Sequence, residues 1–309
     1  MAVVSSDFLT ALLTNFRTLF ERDFSAAENM QTWRDIATQI PITTRIEHYN
    51  WFGTVPQVQD VTHGELTLGS LFPYHFTIEN LLWKGGIEVE RSALEDDQLT
   101  MITPRISQLA DEAARHPGQL IFDLFEDNPA AYDGTAFFAN TRVIGESANV
   151  DNLAAGAGVT VANLQTDIAA VRATMRRFQD DRGRVMNKVG NIIVCPPELE
   201  QPFYQALNAN QGNILNPVVP ADAQGRIVQV GYVVLVNPFL TDPTDWYLLD
   251  VRGPTKPFIY QTRVPPALEG ITNPNTESGV LRDKFVYSSR ARYNVGVGEP
   301  RQAIKVVNA

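Results

Sequence analysis

The sequence predicts an α+β fold, with helices early in the chain and strands late. Apolar stripes with helical spacing recur up to about residue 207, and strand patterns separated by proline- and glycine-bearing turns dominate from residue 226. Such segregation of helices and strands along the sequence is typical of the α+β class. The length of 309 residues is enough for about two domains and a sizeable core.

The first element is an amphipathic helix predicted over residues 6–21, with Ser6 as its cap and Asp7 in its first turn. Its apolar stripe keeps helical spacing and consists of Phe8, Leu9, Leu12, Leu13, Phe16, Leu19 and Phe20. A face this apolar must be covered, and the mixed segment that follows to residue 50 suits an arm lying along other surfaces. We therefore predict that Phe8, Leu12 and Phe16 contact a neighbouring subunit.

Alternating residues predict a long two-stranded ribbon between Val61 and Glu90. The alternating segments are 65–68, 74–79 and 87–90. An isolated ribbon is marginal in water, because it buries too little apolar area to offset the ordering entropy of its backbone. Its large apolar side chains would favour aggregation unless another subunit covers them. These predicted interface residues are Leu71, Phe72, Phe76 and Trp83.

Cap signals place the helices in the middle of the chain. Ser92 and Glu95 have the spacing of a capping box, which predicts a short helix. Thr103-Pro104 predicts the start of a longer helix of roughly twenty residues, which is kinked or divided at His116-Pro117-Gly118. Thr160 is predicted to cap a further helix, because the apolar residues that follow it keep the helical period.

The later part of the chain is predicted to be mainly strand. A buried strand over residues 191–195 leads through Pro196-Pro197 into a helix that carries Leu199 and Phe203. The strands predicted after that helix are 226–236, 246–251, 258–263, 284–296 and 303–307.

Composition and charge exclude several classes of protein. With 25 lysines and arginines against 35 acidic residues, the net charge is −10, which disfavours general affinity for nucleic acid. No apolar run approaches the roughly eighteen residues of a membrane span, and the N-terminus lacks the features of a secretory signal. The single cysteine, Cys195, ends a buried strand, so redox chemistry is not expected. We interpret the chain as made and kept in a cytoplasm.

No motif predicts an enzyme, a metal site or a cofactor site. Gly156-Ala-Gly158 lacks the third glycine of a dinucleotide loop, and the chain has neither a phosphate loop nor a Gly-x-Ser-x-Gly elbow. The acidic cluster Glu95-Asp96-Asp97 leaves a carboxylate-dependent hydrolase open as an alternative, although the helix dipole also favours acids in a first turn. Three histidines lack a second ligand at zinc-like spacing: His48, His63 and His75.

Two groups of arginines stand out on this acidic chain. The first is Arg172, Arg176, Arg177, Arg182 and Arg184, for which a solvated helix face is favoured over contact with nucleic acid or with an acidic neighbouring subunit. The second is Arg290 and Arg292, which alternate on a late strand and so share one face. We predict that Arg290 and Arg292 form ion pairs between subunits.

The order of several short motifs resembles that of the major capsid (major head subunit) proteins of Mu-like tailed phages. The resemblance spans roughly residues 30 to 300. The early motifs are Tyr49-Asn-Trp51-Phe-Gly53, Ile87-Glu-Val-Glu-Arg91 with Leu94-Glu95-Asp96-Asp97, Ala114-Arg-His-Pro117 and Leu120-Ile-Phe-Asp-Leu124. The later motifs are Tyr132-Asp-Gly134, Phe137-Phe138, Trp246-Tyr-Leu-Leu-Asp250, Lys256-Pro-Phe-Ile-Tyr-Gln261 and Arg292-Tyr293.

The resemblance implies the tailed-phage major capsid fold of the Hong Kong ninety-seven type. By that resemblance the chain divides into an N-terminal arm (1–50), an extended β-ribbon loop (51–90), a peripheral domain with a spine helix (91–140), an axial domain (141–254) and return strands of the peripheral domain (255–309). The extended loop would lie over a neighbouring subunit.

The resemblance also implies a structural function without catalysis. The subunit would self-assemble as hexamers and pentamers into an icosahedral shell enclosing double-stranded DNA, without binding specific sequences. Its partners would be other copies of itself, a separate scaffolding protein, a portal and decoration proteins, with no cofactor and no membrane. Its place would be the virion, after assembly in the bacterial host cytoplasm and without N-terminal trimming. A non-viral shell of the same fold, enclosing a cargo enzyme as encapsulins do, is the alternative.

Overall fold

A computed structural model describes residues 5–52, 73–96, 99–145, 147, 150–207, 212–213, 216–217, 227–229, 232–276 and 280–308. The helices of this part are α1 (Ser6–Asn29), α2 (Trp33–Ile36), α3 (Arg91–Glu95), α4 (Leu99–Asp127), α5 (Val161–Arg176) and α6 (Glu200–Leu207). The first strands are β1 (Ala37–Pro41), β2 (Ile46–Phe52), β3 (Pro73–Glu79), β4 (Leu81–Glu90), β5 (Leu153–Ala155), β6 (Ile192–Cys195), β7 (Gly212–Asn213) and β8 (Asn216–Pro217). The remaining strands are β9 (Ile227–Gln229), β10 (Tyr232–Val236), β11 (Trp246–Leu249), β12 (Phe258–Gly270), β13 (Lys284–Val297) and β14 (Ala303–Val307).

Two larger sheets organise the described strands. The four-stranded sheet has the order β1-β12-β13-β4, in which β1 is parallel to β12 and the other neighbours are antiparallel. The six-stranded sheet has the order β5-β14-β11-β6-β10-β9. Strands β2 and β3 form a separate antiparallel pair, and β7 and β8 form another. The mixed helix and sheet content agrees with the predicted α+β class.

The six-stranded sheet is buried on both faces. Successive side chains of its central strands point to opposite sides, and each side is covered by a different apolar cluster. Ile193 of β6 lies in an apolar cluster with α5 and α6, whereas Val194 beside it lies in a cluster with α4. Strand β11 repeats the division, since Leu248 lies in the first cluster and Leu249 in the second. This accounts for the continuous apolar run of 191–195, whose predicted strand is confirmed at Ile192–Cys195.

The carboxyl-terminal half of α4 packs between the two larger sheets. Phe125 is fully buried and contacts Phe258 of β12 at 4.5 Å between ring centroids and Tyr247 of β11 at 4.6 Å. Close to Phe125, the backbone of α4 at Gly118 approaches the indole of Trp33 closely, and a Cβ on Gly118 would lie 2.8 Å from Trp33 Cδ1. The glycine after Pro117 is therefore required by this packing.

Helix α1 lies across the amino-terminal half of α4 and the distal half of the four-stranded sheet. Phe16 packs edge-on against Tyr287 of β13, with ring centroids 5.2 Å apart. Arg17 Nε donates to the carbonyl of Leu268 over 2.9 Å. The helix continues to Asn29, beyond the predicted end, because Asp23 and Phe24 still contact this surface, with Ser107 Oγ donating to Asp23 over 2.5 Å. Its cap is Ser5 and not the predicted Ser6, because the hydroxyl of Ser5 accepts from the amide of Phe8.

Two further predicted helix starts are wrong. Helix α3 begins at Arg91 directly after β4, with Glu90 at the cap position and without a side-chain cap; Glu95 instead pairs with Arg91 at 3.0 Å. Helix α4 begins at Leu99, and Thr103 lies within its second turn, where its hydroxyl donates to the carbonyl of Leu99. Thr103 and Pro104 fit the residue preferences of a helix start, but the helix begins one turn earlier, because Ile102 in that turn is buried against its neighbours.

The ribbon differs from the prediction in its strand pairing. Strand β3, which covers the predicted segment 74–79, pairs with β2, where no strand was predicted. Strand β4, which contains 87–90, pairs along its whole length with β13 as an edge strand of the four-stranded sheet. Pairing with a strand about two hundred residues away provides the ladder partner that an isolated ribbon would lack. The segment 65–68 lies outside the described residues.

Most other predicted elements are confirmed. Thr160 caps α5, and its hydroxyl accepts from the amide of Asn163 over 3.3 Å. Four of the five predicted late strands appear as β11 to β14, with β12 continuing to Gly270 through a bulged stretch that contains two prolines. The predicted single strand 226–236 is wrong, because its residues form β9 and β10, which pair antiparallel with each other. The predicted kinked or divided helix is one continuous helix of 29 residues that contains Pro104 and Pro117.

Truncation of Phe16 tests the packing of α1 on its own subunit. Phe16→Ala removes a ring that is 4% exposed, so the free energy of unfolding of the unassembled subunit should fall by about 3 kcal/mol. Denaturant unfolding measures this change. Thr18→Ala on the exposed side of the same helix is the control and should change stability by less than about 0.5 kcal/mol. Equal stability of the two variants would mean that α1 does not pack in this way before assembly.

Candidate assembly interfaces

The predicted interface residues of the arm lie in an intrasubunit apolar cluster. Leu12 and Phe16 are buried there and Phe8 is half-buried beside them. The cluster joins α1 to the first half of α4 and to the distal ends of β4 and β13. Contacts within one subunit thus account for the burial of these side chains, and their contact with a neighbouring subunit stays a prediction.

Two of the predicted ribbon residues are described by the structure: Phe76 of β3 packs on the four-stranded sheet, and Trp83 belongs to the edge strand β4 of that sheet. Leu71 and Phe72 lie outside the described residues. Phe76 is half-buried, and its ring lies beside Gly296 of β13, where a Cβ would approach the ring to 3.1 Å. The pair of strands β2 and β3 is also held on the sheet by Tyr49 of β2, whose hydroxyl donates to Oε1 of Gln261 in β12 over 2.7 Å.

Trp83 links the edge strand β4 to helix α4. Its indole Nε1 donates to the carbonyl of Tyr293 over 3.0 Å, and its ring lies 4.4 Å from the imidazole of His116. A hydrogen bond of 2.8 Å joins His116 Nδ1 to the hydroxyl of Tyr293. Burial lowers the pKa of His116, and the nearby carboxylates of Glu112 and Asp123 oppose this in part. The packing of His116 between Trp83 and Tyr293 therefore favours the neutral form of its imidazole.

Arg290 and Arg292 share the face of the sheet that points away from α4, as their alternation predicts. Along β13 the odd-numbered residues such as Tyr287 and Ala291 are buried, and the even-numbered ones are partly exposed. In the register of β13 with β4, Arg290 lies opposite Lys84 and Arg292 opposite Leu82. The structure therefore places a cationic and partly apolar surface beside an edge strand.

A buried polar cluster that sequence reasoning missed fixes the connection after α4. Arg142 is fully buried, and its Nη1 donates to Asp133 Oδ1 over 3.1 Å. Its Nη2 donates to the backbone carbonyls of Ala136 and Phe137. Burial lowers the pKa of Arg142, and Asp133 opposes this effect. A buried guanidinium with these partners holds one loop conformation, because removal of any partner would leave charge uncompensated.

A second buried pair joins this connection to β14. Arg301 Nε donates to Glu299 over 2.6 Å, and its Nη2 donates to the hydroxyl of Tyr132 over 3.1 Å. Burial raises the pKa of Tyr132, and the Glu299 carboxylate adds to this effect. Asn152 completes the connection by donating to the carbonyls of Phe137 and Pro300. The motif Tyr132-Asp-Gly134 is the sequence signal that marks this cluster.

The five arginines of the middle region are divided by the structure. Arg172 donates to the hydroxyl of Tyr232 over 3.2 Å and lies over its ring, whereas Arg176 and Arg177 are exposed at the end of α5. Arg184 pairs with buried Asp180 at 2.7 Å in the following turn, where Arg182 also donates its amide to Asp180. They form no single basic surface.

The candidate catalytic and metal-binding groups that the structure describes are not assembled into a site. Glu95 pairs with Arg91, Asp96 follows it at the helix end, and Asp97 lies outside the described residues. His48 contacts the hydroxyl of Thr77 at 3.2 Å, and His63 lies outside the described residues. Among the residues the structure describes, no group of three histidine, cysteine or acidic side chains is placed to hold a metal ion. Within the same part, the helices are too short or too polar for a membrane span.

Comparison with known proteins identifies relatives of this chain. A family model described as "Mu-like prophage major head subunit gpT" matches residues 9–167 and 221–308. The Mu-like prophage FluMu major head subunit of Haemophilus influenzae is 26% identical over 300 residues, which cover 96% of this chain and 72% of that protein. The major capsid protein of Escherichia phage Mu is 27% identical over 164 residues, about half of either chain.

Solved structures with the same fold come from phage capsids and from a virus-like particle. The procapsid of bacteriophage JBD30 matches with a TM-score of 0.54 and 23% identity, covering 96% of this chain and 74% of that chain. The capsid of cyanophage P-SCSP1u matches with a TM-score of 0.53 and 13% identity, over 90% of this chain and 88% of that chain. A virus-like particle from Pyrococcus furiosus matches with a TM-score of 0.53 and 9% identity, over 95% of this chain and 98% of that chain. The fold is therefore the tailed-phage capsid fold that the sequence motifs predict.

The neutral state of His116 predicts a dependence of stability on pH. The unfolded imidazole has a pKa of about 6.5, and burial lowers that value in the fold. As pH falls, the imidazole of His116 is therefore protonated in the unfolded chain at a higher pH than in the folded chain. The contribution of His116 to stability is complete above about pH 6.5 and is lost as pH falls below that value. Denaturant unfolding between pH 7.5 and 5 measures the slope, which should be reduced in His116→Phe.

Tyr293→Phe is the matched variant for this measurement. It keeps the imidazole and the packed ring but removes the hydroxyl that contacts His116, so it should lower stability and retain the slope. A His116→Phe profile parallel to that of the original chain would contradict the assignment of the slope to His116.

Proposed function

The chain belongs to the family of Mu-like prophage major head subunits, and we propose that it tiles a phage head as hexamers and pentamers of itself, closing an icosahedral shell around double-stranded DNA. The match of the family model to about four fifths of the chain carries this proposal. The chain is a structural capsid component of the virion, as its relatives are.

The viral function is favoured over a non-viral shell. The family model and both curated relatives are phage or prophage head subunits. The virus-like particle from Pyrococcus furiosus shares only 9% identity, which supports the common fold and nothing more specific.

The described surface supports assembly through several regions of each subunit. Strand β4 is an edge of the four-stranded sheet and exposes Leu81 and Leu82, at 44% and 53%. Exposed apolar groups on an edge strand are a hazard unless another chain covers them. We propose that the arm and ribbon also reach neighbouring copies, so that the interfaces of one subunit sum to more than about 2,000 Å².

The division of the chain into functional parts remains part of the proposal. The arm (1–50), the ribbon loop (51–90), the peripheral domain (91–140 and 255–309) and the axial domain (141–254) would each contribute to assembly. The cluster of α5 and α6 on one face of the six-stranded sheet supports a separate axial domain, to which β14 from the segment 255–309 also contributes. The cluster of α4 with the four-stranded sheet supports a peripheral domain.

Partners beyond the chain itself follow from the same proposal. A separate scaffolding protein, a portal and decoration proteins would complete the head, and DNA would be enclosed without recognition of its sequence. The net charge of −10 supports this, because an acidic wall does not trap a phosphate backbone. The subunit would use no cofactor or membrane, and Glu95 and Asp96 would have no catalytic part.

Production of the full chain together with the other head proteins of its phage tests this function. Negative-stain images should show closed shells with a portal vertex, and purified particles should contain DNA. A monomer that stays stable at high concentration would contradict the proposal, and a homogeneous protein cargo would favour the non-viral alternative. Asp96→Ala should leave assembly unchanged; loss of a measurable turnover in that variant, with assembly intact, would favour the hydrolase.

A further inference from the structure

Among the described elements, the chain passes between the two larger sheets three times, and the three connections meet at one place. The first connection follows α4 and leads to β5 (128–152), the second joins β11 to β12 (250–257), and the third joins β13 to β14 (298–302). We call the place where they meet the junction. Because each of these passages crosses it, the junction is where the relative orientation of the two sheets can be set.

The third connection lies at the centre of the junction and is buried along its length. Glu299, Arg301 and Gln302 are 5%, 3% and 1% exposed. Asn152 of the first connection donates to the carbonyl of Pro300 over 3.1 Å. Burial of three polar side chains in five residues costs free energy unless specific partners hold them.

Arg301 links the third connection to two other parts of the chain. Its Nε donates to Glu299 over 2.6 Å, and its Nη2 donates to the hydroxyl of Tyr132, which in turn donates to Glu299 over 3.3 Å. Its Nη1 donates to the carbonyl of Gln179, in the turn after α5, over 3.4 Å. Burial alone would lower the pKa of Arg301, but the Glu299 carboxylate raises that pKa overall, so the guanidinium stays charged. One planar cation thus joins the first connection, the third connection and the turn after α5.

Backbone groups link the third connection to the second. Gln302 Nε2 donates to the carbonyl of Thr255 over 2.8 Å, and the amide of Gly298 donates to the carbonyl of Pro257 over 2.7 Å. A Cβ on Gly298 would lie 3.1 Å from the carbonyl oxygen of Pro257, so the two segments approach closely at this glycine. The second connection is therefore held at its backbone, whereas the first is held by side chains, among them Arg301.

Directed hydrogen bonds fix an angle that apolar packing leaves free. The two sheets also share an apolar cluster around Phe125 of α4, but the hydrophobic effect is not directional. Hydrogen bonds from a planar guanidinium are directional and are strengthened by its charge. Helix α4 extends about 43 Å from the junction to its first residue. A rotation of about 5° at the junction would move that end by about 4 Å, which is comparable to the contact distance between two side chains.

We infer that Arg301 is a positioning residue, which with Glu299 and Tyr132 fixes the angle between the two larger sheets and thereby the curvature of the shell. This inference rests on the proposed function, because curvature is a property of the assembled subunits. The angle sets the inclination at which surfaces on different parts of one subunit meet their neighbours. Without the link, subunits would still assemble, but they would meet at a range of inclinations and close shells of different sizes.

Distance measurements on the unassembled subunit test the angle. Spin labels on Thr18→Cys of α1 and Arg177→Cys at the end of α5 report the distance between the two parts, since both positions are exposed and Cys195 is buried. Tyr132→Phe keeps the ring and removes the linking hydroxyl, and Arg301→Lys keeps the charge and removes the planar group. Each should broaden the distribution of label distances about twofold or more, because a directed link is lost. An unchanged distribution in both variants would overturn the inference.

The same two substitutions test the consequence for the shell. When the original chain is produced with the other head proteins of its phage, negative-stain images should show one narrow distribution of particle diameters. Tyr132→Phe and Arg301→Lys should still give particles, with a distribution of diameters about twofold broader or more. Narrow diameters in variants whose label distances are broadened would mean that the angle does not set the curvature, which would also overturn the inference. If Arg301→Lys does not fold, the milder Tyr132→Phe decides both measurements.

Two controls separate the angle from other effects of substitution. Tyr204→Phe removes the hydroxyl of another buried tyrosine, one that has no hydrogen-bond partner among the described residues, and should leave both distributions unchanged. Val234→Ala truncates a residue of β10 that is 1% exposed, so it lowers stability away from the junction and should also leave both unchanged. Equal broadening by Val234→Ala and Tyr132→Phe would assign the effect to lost stability and overturn the inference. If the original chain forms no shells, the proposed function fails, while the label distances still decide whether Arg301 sets the angle.

Discussion

The spine helix α4 is the element on which the rest of the subunit depends. Its 29 residues span about 43 Å, and its two halves belong to different apolar clusters. The first half, with Ile106, is buried under α1, and the second half, with Phe125, is buried between the two larger sheets. Because one helix enters both clusters, the arm helix, the four-stranded sheet and the six-stranded sheet are fixed relative to one another by a single rigid element.

The same architecture explains why polar groups are buried where the chain leaves α4. The connection from the helix to the six-stranded sheet carries Arg142 and Asp133, and it meets Glu299 and Arg301 before β14. Apolar side chains would fill this space without fixing one conformation, whereas paired charges with directed hydrogen bonds do so. A subunit that occupies several positions in a shell needs a connection of defined geometry between its parts.

Sequence alone predicts the elements that depend on local signals. Thr160 before a 3.6-residue period and the apolar run ending at Cys195 are local signals, so the start of α5 and both bounds of β6 were predicted to within one residue. The partner of β4 could not be predicted in this way, because its ladder with β13 joins residues about two hundred positions apart. Nothing in the alternation of Ile87 to Glu90 says which strand it pairs with.

For the candidate interfaces too, local features could be predicted from the sequence and contacts between distant residues could not. Alternation in β13 was enough to place Arg290 and Arg292 on one face, but the opposition of Lys84 to Arg290 depends on the register with β4. For the residues of α1, the apolar stripe predicts only that Phe16 is covered. The fold shows that Tyr287 of the same subunit contacts it. A covering surface, unlike a cap, is not encoded near the residue that it covers.

Charge then limits how such subunits can meet. Copies with a net charge of −10 repel one another at long range, so contact must begin where the local charge is reversed. Among the described residues, Lys84, Arg290 and Arg292 place positive charge on one face of the four-stranded sheet, and Leu82 beside them is exposed. An interface that is selected by charge before apolar area is buried lets a misplaced subunit dissociate, which is what accurate closure of a shell from many copies requires.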